Sequence, residues 1–152
     1  MEYSFHSHPQ GASRIAIDCG QPRRGKEFIM TIRLLVSVVD DDESVRESLP
    51  DLLREFGFAV QAFSSAEEFL ASDFLRQTSC LVLDIAMPGM SGQDLQRELI
   101  LRGWAIPIVF ITASLDKAVR PQLIEQGAVE CLFKPFSDAA LLNALNAALR
   151  LN

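Results

Sequence analysis

The 152-residue chain is long enough for one domain and too short for two ordinary ones. Hydrophobic residues at 49% and charged residues at 22% exclude a disordered chain, and no apolar run approaches the roughly 20 residues that span a bilayer. The formal net charge is −6, and from Leu34 onward 9 bases face 17 acids, so the body repels a phosphate backbone and direct nucleic-acid binding is not expected.

In chain order, residues 1–31 read as an N-terminal extension, expected to be disordered, with Pro9, Gly11, Gly20, Pro22 and Gly25 and little hydrophobic periodicity. His6 and His8 there would make a poor metal site and read as solvated tail. Arg23-Arg24 superficially matches a twin-arginine export signal, but the apolar stretch that follows ends in Asp40-Asp41-Asp42 without a small-residue cleavage site. Met30 is a candidate translation start, because the globular pattern begins directly after it. The domain is therefore placed at 32–152. Cys19, Cys80 and Cys131 are odd in number and lack CxxC spacing, which supports neither a disulfide framework nor zinc, and fits a reducing cytoplasm.

Leu34 to Val39 is a near-continuous apolar run, as expected of a parallel strand buried on both faces. Ser44 to Phe56 carries Val45, Leu49, Leu52, Leu53 and Phe56 at helical spacing, with Pro50 inside, which removes a backbone donor and should bend the helix. After Gly57 come a strand over Phe58–Phe63, a short helix over Glu67–Ser72, a strand over Leu81–Leu83 and a helix over Gln93–Leu101. A strand over Ile108–Ile111, a helix over Lys117–Glu125, a strand over Val129–Phe133 and a helix over Ser137–Leu149, with Ser137 as N-cap, complete the series. Five strand-then-helix units predict an α/β fold: a doubly wound five-stranded parallel sheet, order 2-1-3-4-5, flanked by five helices.

Polar residues follow the strands. Asp40 and Asp41 follow the first, Asp84 the third, Thr112 the fourth and Lys134 the fifth. With strand order 2-1-3-4-5 these carboxyl ends line one crevice at the switch between strands one and three. Singly, each has an ordinary structural explanation as a cap, a turn closer or a surface charge; jointly, they point to a site. Two carboxylates about 4 Å apart repel by roughly 4 kcal/mol at an effective dielectric constant near 20, so three cannot share a pocket as ions without a cation. Oxygen donors without thiolates select a hard ion, and Mg²⁺ is the abundant choice. A carboxylate nucleophile, a divalent ion, the Lys134 charge and the Thr112 hydroxyl together suit phosphoryl transfer, which is chiefly positioning and charge stabilisation.

The runs Val39-Asp40-Asp41-Asp42-Glu43-Ser44-Val45-Arg46, Leu83-Asp84-Ile85-Ala86-Met87-Pro88-Gly89-Met90-Ser91-Gly92, Ile111-Thr112-Ala113 and Lys134-Pro135-Phe136 resemble the signature segments of CheY-like response-regulator receiver domains. The resemblance runs in order from about Leu34 to the C-terminus and is closest to the receivers of LuxR-type, FixJ-like regulators. It implies a flavodoxin/CheY-like fold and a single-domain response regulator of two-component signal transduction. In that reading a histidine kinase or phosphotransfer protein passes a phosphoryl group to Asp84. It further implies Asp40, Asp41, Asp84 and the backbone carbonyl of Ala86 as Mg²⁺ ligands, Thr112 as switch hydroxyl, Lys134 as phosphate contact and a cis Lys134–Pro135 bond. The protein would be a cytoplasmic phospho-acceptor rather than an enzyme. Ala86 and Ser114, beside the site, include no obvious water-activating group, so slow autodephosphorylation is expected.

Two departures stand out. Cys131 occupies the position three before the lysine, where the family usually has Tyr or Phe, so the surface around the fourth helix and fifth strand is expected to respond less or differently. Only 18 residues follow Lys134, enough for one helix, so output is expected through an unknown downstream protein, self-association as a homodimer, or removal of phosphoryl groups from a kinase. A haloacid-dehalogenase-type phosphatase would want an acid where Ala86 stands, and a flavodoxin-like binder a Ser/Thr/Gly-rich loop where Asp40 to Glu43 stand. The remaining alternative is a pseudo-receiver that binds partners without phosphorylation, although such modules typically lack the acceptor or the acid pair.

Overall fold

A computed structural model describes residues 14–18 and 30–150. His6, His8, Cys19 and the Arg23-Arg24 pair lie outside the described residues. The elements run β1 (Arg14–Asp18), β2 (Met30–Val39), α1 (Glu43–Glu55), β3 (Ala59–Phe63), α2 (Ala66–Leu70), β4 (Thr78–Asp84), α3 (Gly92–Leu101), β5 (Ile108–Thr112), α4 (Val119–Glu125), β6 (Glu130–Phe133) and α5 (Asp138–Leu149), with a 3₁₀ turn at Leu75–Gln77.

Five strands pair in parallel in the order β3-β2-β4-β5-β6, which is 2-1-3-4-5 when the strands are counted from Leu34, as expected. β1 pairs antiparallel with the first half of β2, from Arg14 opposite Leu34 to Asp18 opposite Met30. The expected boundary at residue 31/32 therefore falls within β2.

Period-two alternation explains why the sheet is covered on both faces. Leu81, Leu83, Ile108 and Phe110 point to one side and pack with Phe69, Leu95, Leu99 and Leu123 from α2, α3 and α4. Cys80, Val82, Val109 and Ile111 point to the other and pack with Leu49, Leu53, Leu141 and Leu145 from α1 and α5. All seven residues of β4 are buried. Its first two, Thr78 and Ser79, are polar and break the apolar run in the sequence, and the expected strand began three residues late. A 2.7 Å hydroxyl contact between Ser37 and Thr78, with Thr78 donating to the Phe74 carbonyl, lets Thr78 be buried.

Helix ends follow local chemistry. Ser137 caps α5, as expected; Asp42 caps α1, Ser65 caps α2, and Ser91 and Asp94 form a reciprocal capping box on α3. α1 continues through the buried Pro50, whose missing donor leaves the Arg46 carbonyl without its usual helical partner. No helix among the described residues is long and apolar enough to cross a membrane.

Candidate functional site

The carboxyl ends of β2, β4, β5 and β6 meet at the crevice where α1 and α3 leave opposite faces of the sheet. Asp40 is the residue after β2 and is fully buried, Asp41 beside it is exposed, and Asp84 ends β4 with 6% of its surface exposed. Ligand oxygens of these three carboxylates lie within 4.8 Å of one another. Lys134, just past β6, donates to Asp40 Oδ2 at 2.8 Å and stands 4.0 Å from Asp84 Oδ1. Thr112, the last residue of β5, is buried; its Oγ1 accepts from the Ser114 amide at 3.0 Å and its carbonyl from the Lys134 amide at 2.7 Å. Ala86 and Ser114 are exposed in the loops that follow β4 and β5. The Lys134–Pro135 bond is cis, as expected.

Hydrogen bonds hold Asp40 tightly. Its Oδ1 accepts from the Asp42 amide at 3.0 Å, its own amide continues the sheet ladder to the Phe63 carbonyl at 3.1 Å, and its carbonyl accepts from Arg46 Nη1 at 3.0 Å. Both Asp40 oxygens thus have protein donors. Among the described residues no nitrogen donor lies within hydrogen-bond distance of the Asp84 side chain, and its pKa is pushed up to about 7. Burial is the leading cause, followed by the Asp40 charge; Lys134 opposes, and a hydrogen bond shared with Asp40 and the Asp41 charge add to the rise. Burial works against the Lys134 ammonium, but the Asp40 hydrogen bond and charge outweigh it and hold its pKa above the ordinary lysine value.

One lysine cannot offset three carboxylates, and the three clustered side chains offer carboxylate oxygens alone, with no His or Cys among them. That donor set fits a hard divalent cation such as Mg²⁺. All five polar residues expected from the sequence are gathered here.

Three further residues shape the pocket. Arg46 ties α1 to the Asp40 carbonyl. Gly92, the first residue of α3, bonds through its amide to the Ile85 carbonyl at 2.8 Å, and a Cβ there would stand 2.3 Å from the Asp84 carbonyl oxygen. Glu67 of α2 accepts from the Met90 amide at 3.1 Å. Arg46 and Gly92 lie in the signature runs, although spacing gave neither a role; Glu67 has no sequence signal, because its contact spans 23 residues.

Comparison with known proteins agrees with this geometry. A family model described as "Response regulator receiver domain" matches residues 36–146. The chain is 47% identical over 116 residues to Nodulation protein W of Bradyrhizobium diazoefficiens, covering 76% of this chain and 51% of that protein. Among solved structures, response regulator StyR superposes with a TM-score of 0.71 at 50% identity, covering 78% of this chain and 60% of that one. FixJ-N superposes with a TM-score of 0.69 at 39% identity, covering 76% and 93%. The chain spans about half the length of the curated relatives it matches. With its doubly wound sheet, its acidic pocket and these matches, the chain belongs to the response regulator receiver domain family.

Proposed function

We propose that this receiver, placed at residues 32–152, accepts a phosphoryl group on Asp84 from a histidine kinase or phosphotransfer protein of a two-component system. The observation that carries the reading is the convergence of Asp40, Asp41 and Asp84 within 4.8 Å beside Lys134, which bonds Asp40 at 2.8 Å and stands 4.0 Å from Asp84. An Asp84 oxygen forms the new bond to phosphorus while the bond from phosphorus to the donor imidazole nitrogen breaks, its electron pair leaving with the imidazole. Asp40, Asp41, Asp84 and the Ala86 carbonyl would hold Mg²⁺, which supplies charge neutralisation for the acids and the incoming phosphoryl oxygens. Lys134 offsets the charge left on the acceptor, and the Thr112 hydroxyl donates to a phosphoryl oxygen.

Neither Ala86 nor Ser114 offers a base to activate water, which supports a long-lived phosphoaspartate and slow autodephosphorylation. Output passes through protein–protein contacts in the cytoplasm. Among the relatives, one from Thauera aromatica is a transcriptional regulatory protein, and in a longer protein of that kind the contacts would be with an attached output region.

The test is intact-mass analysis after incubation with acetyl phosphate and Mg²⁺, beside an Asp84→Asn variant. A single phosphoryl adduct on the parent, absent from the variant and from a chelator control, supports the reading. A folded parent that takes no adduct under any condition would instead make this a module that binds partners without phosphorylation.

A further inference from the structure

The loop from Ile85 to Ser91 connects Asp84 to α3 and carries Ala86. Two anchors are internal to its own stretch of chain: the Met87 side chain is buried in the core, and the Gly92 amide closes the loop onto the Ile85 carbonyl at 2.8 Å. A third comes from a neighbouring element. Glu67, near the start of α2, accepts the Met90 amide through Oε2 at 3.1 Å. The same oxygen lies 2.9 Å from where a Cβ on Gly89 would stand, so the carboxylate is seated against bare backbone at a residue with φ +76°. Glu67 is exposed and makes no contribution to the core, yet it fixes the far limb of the loop.

We propose that Glu67 is a positioning residue for the acidic pocket: by bonding the Met90 amide, it holds the Ile85–Ser91 loop in the shape that presents the Ala86 backbone beside Asp84. Glu67 itself touches neither the cation nor the phosphoryl group. This rests on the metal reading above. A tethered loop presents its carbonyl at no ordering cost when the ion arrives; an untethered loop must be ordered first, and affinity falls by that amount.

Bond and charge can be separated at this position. Glu67→Gln keeps an acceptor oxygen at the same reach and loses the charge. Glu67→Asp keeps the charge and falls short by one methylene. Glu67→Ala loses both. The readouts are the Mg²⁺ dissociation constant by calorimetry, the amide resonance of Met90 and the melting temperature, all on the full chain. Expected are a weakening of Mg²⁺ binding by about three- to tenfold in the Ala and Asp variants, a displaced Met90 resonance in both, and near-parental behaviour of the Gln variant. Parental affinity in the Ala variant overturns the proposal, as does a Gln variant that behaves like Ala, which would assign the effect to charge acting through space. A parent that binds no Mg²⁺ brings down the metal reading, and this inference with it; the two failures are distinguished by the parent titration alone.

Discussion

Lys134 donates to Asp40 at 2.8 Å but only approaches Asp84, at 4.0 Å. Its hydrogen bond is committed to Asp40, and at Asp84 burial and the acidic neighbours outweigh the lysine's charge. That asymmetry sets how the metal-free protein responds to pH, to mutation and to a cation.

The first consequence is a penalty for ionising Asp84. Below pH 3.8 its carboxyl is protonated in the folded and unfolded chain alike and contributes nothing. As pH rises, the unfolded chain loses its proton first while the folded one retains it, so stability falls until the folded carboxyl ionises near 7 and stays reduced above that. Asp84→Asn removes the penalty. In chelator at pH 8 the variant should be more stable than the parent by on the order of 1–2 kcal/mol, and the gain should shrink as pH drops towards 4. Denaturant melts at a series of pH values measure it; a gain that does not depend on pH would point to packing or hydrogen bonding instead.

Removing the lysine acts in the opposite sense. Lys134→Met leaves Asp40 fully buried with one oxygen unpaired, which should cost about 2 kcal/mol in chelator, less than for a wholly buried pair because Lys134 is partly exposed. It also removes the cation that competes for Asp40, so Mg²⁺ should bind the variant more tightly than the parent and restore part of the lost stability. Thermal melts with and without Mg²⁺ report both effects, and equal Mg²⁺ stabilisation of the two proteins would show that the lysine does not compete.

Gly92→Ala tests how closely α3 starts against the end of β4. Helix propensity alone favours Ala over Gly by about 1 kcal/mol. The added methyl, however, would lie 2.3 Å from the Asp84 carbonyl oxygen and 3.0 Å from the Ile85 Cα, both backbone atoms that cannot step aside cheaply. The expected outcome is a net destabilisation of about 1–3 kcal/mol and slower phosphoryl acceptance from acetyl phosphate. A stabilised variant would mean that propensity wins and the loop has slack.

Much of this was legible from residue order because buried parallel strands leave unbroken apolar runs, and because the polar side chains of the pocket sit at or just past their ends. Leu34–Val39 followed by Asp40-Asp41, and Leu81–Leu83 followed by Asp84, give both the sheet and the pocket. Where polar residues are buried through a tertiary partner, as Thr78 is through Ser37, the run gives no sign and the strand is read short. The hairpin of Arg14–Asp18 against Met30–Leu34 was hidden in a stretch without periodicity. Which carboxylate the lysine serves depends on distances between residues 94 positions apart in the chain. The closeness of Gly92 to Asp84 and of Glu67 to Gly89 likewise exists only once the loop has folded back.

The replacement of the usual aromatic by Cys131 leads to the last prediction. Cys131 is 2% exposed, and burial, with the nearby Glu130 charge, pushes its thiol pKa up, so it behaves as a small packed side chain with no ring to swing. The ring beside Thr112 is Phe133 instead: it is paired in register with Thr112, and Lys117 Nζ lies 3.9 Å from its centroid. A swing of the Thr112 side chain towards a phosphoryl oxygen would carry Oγ1 away from the Ser114 amide it now accepts from, and that would shift the loop between β5 and α4 on which Lys117 rides. Adding beryllofluoride with Mg²⁺ should therefore move the amide resonances of residues 113–118 and the ring resonances of Phe133, with smaller changes at Cys131 and along α4. Lys117→Ala should cost under about 1 kcal/mol, since the contact is solvent-exposed, and should reduce the Phe133 ring response while leaving the loop amides responsive. Thr112→Ala should abolish both. Large changes centred on α4 with a still Phe133 ring would show that the signal leaves the site by another route.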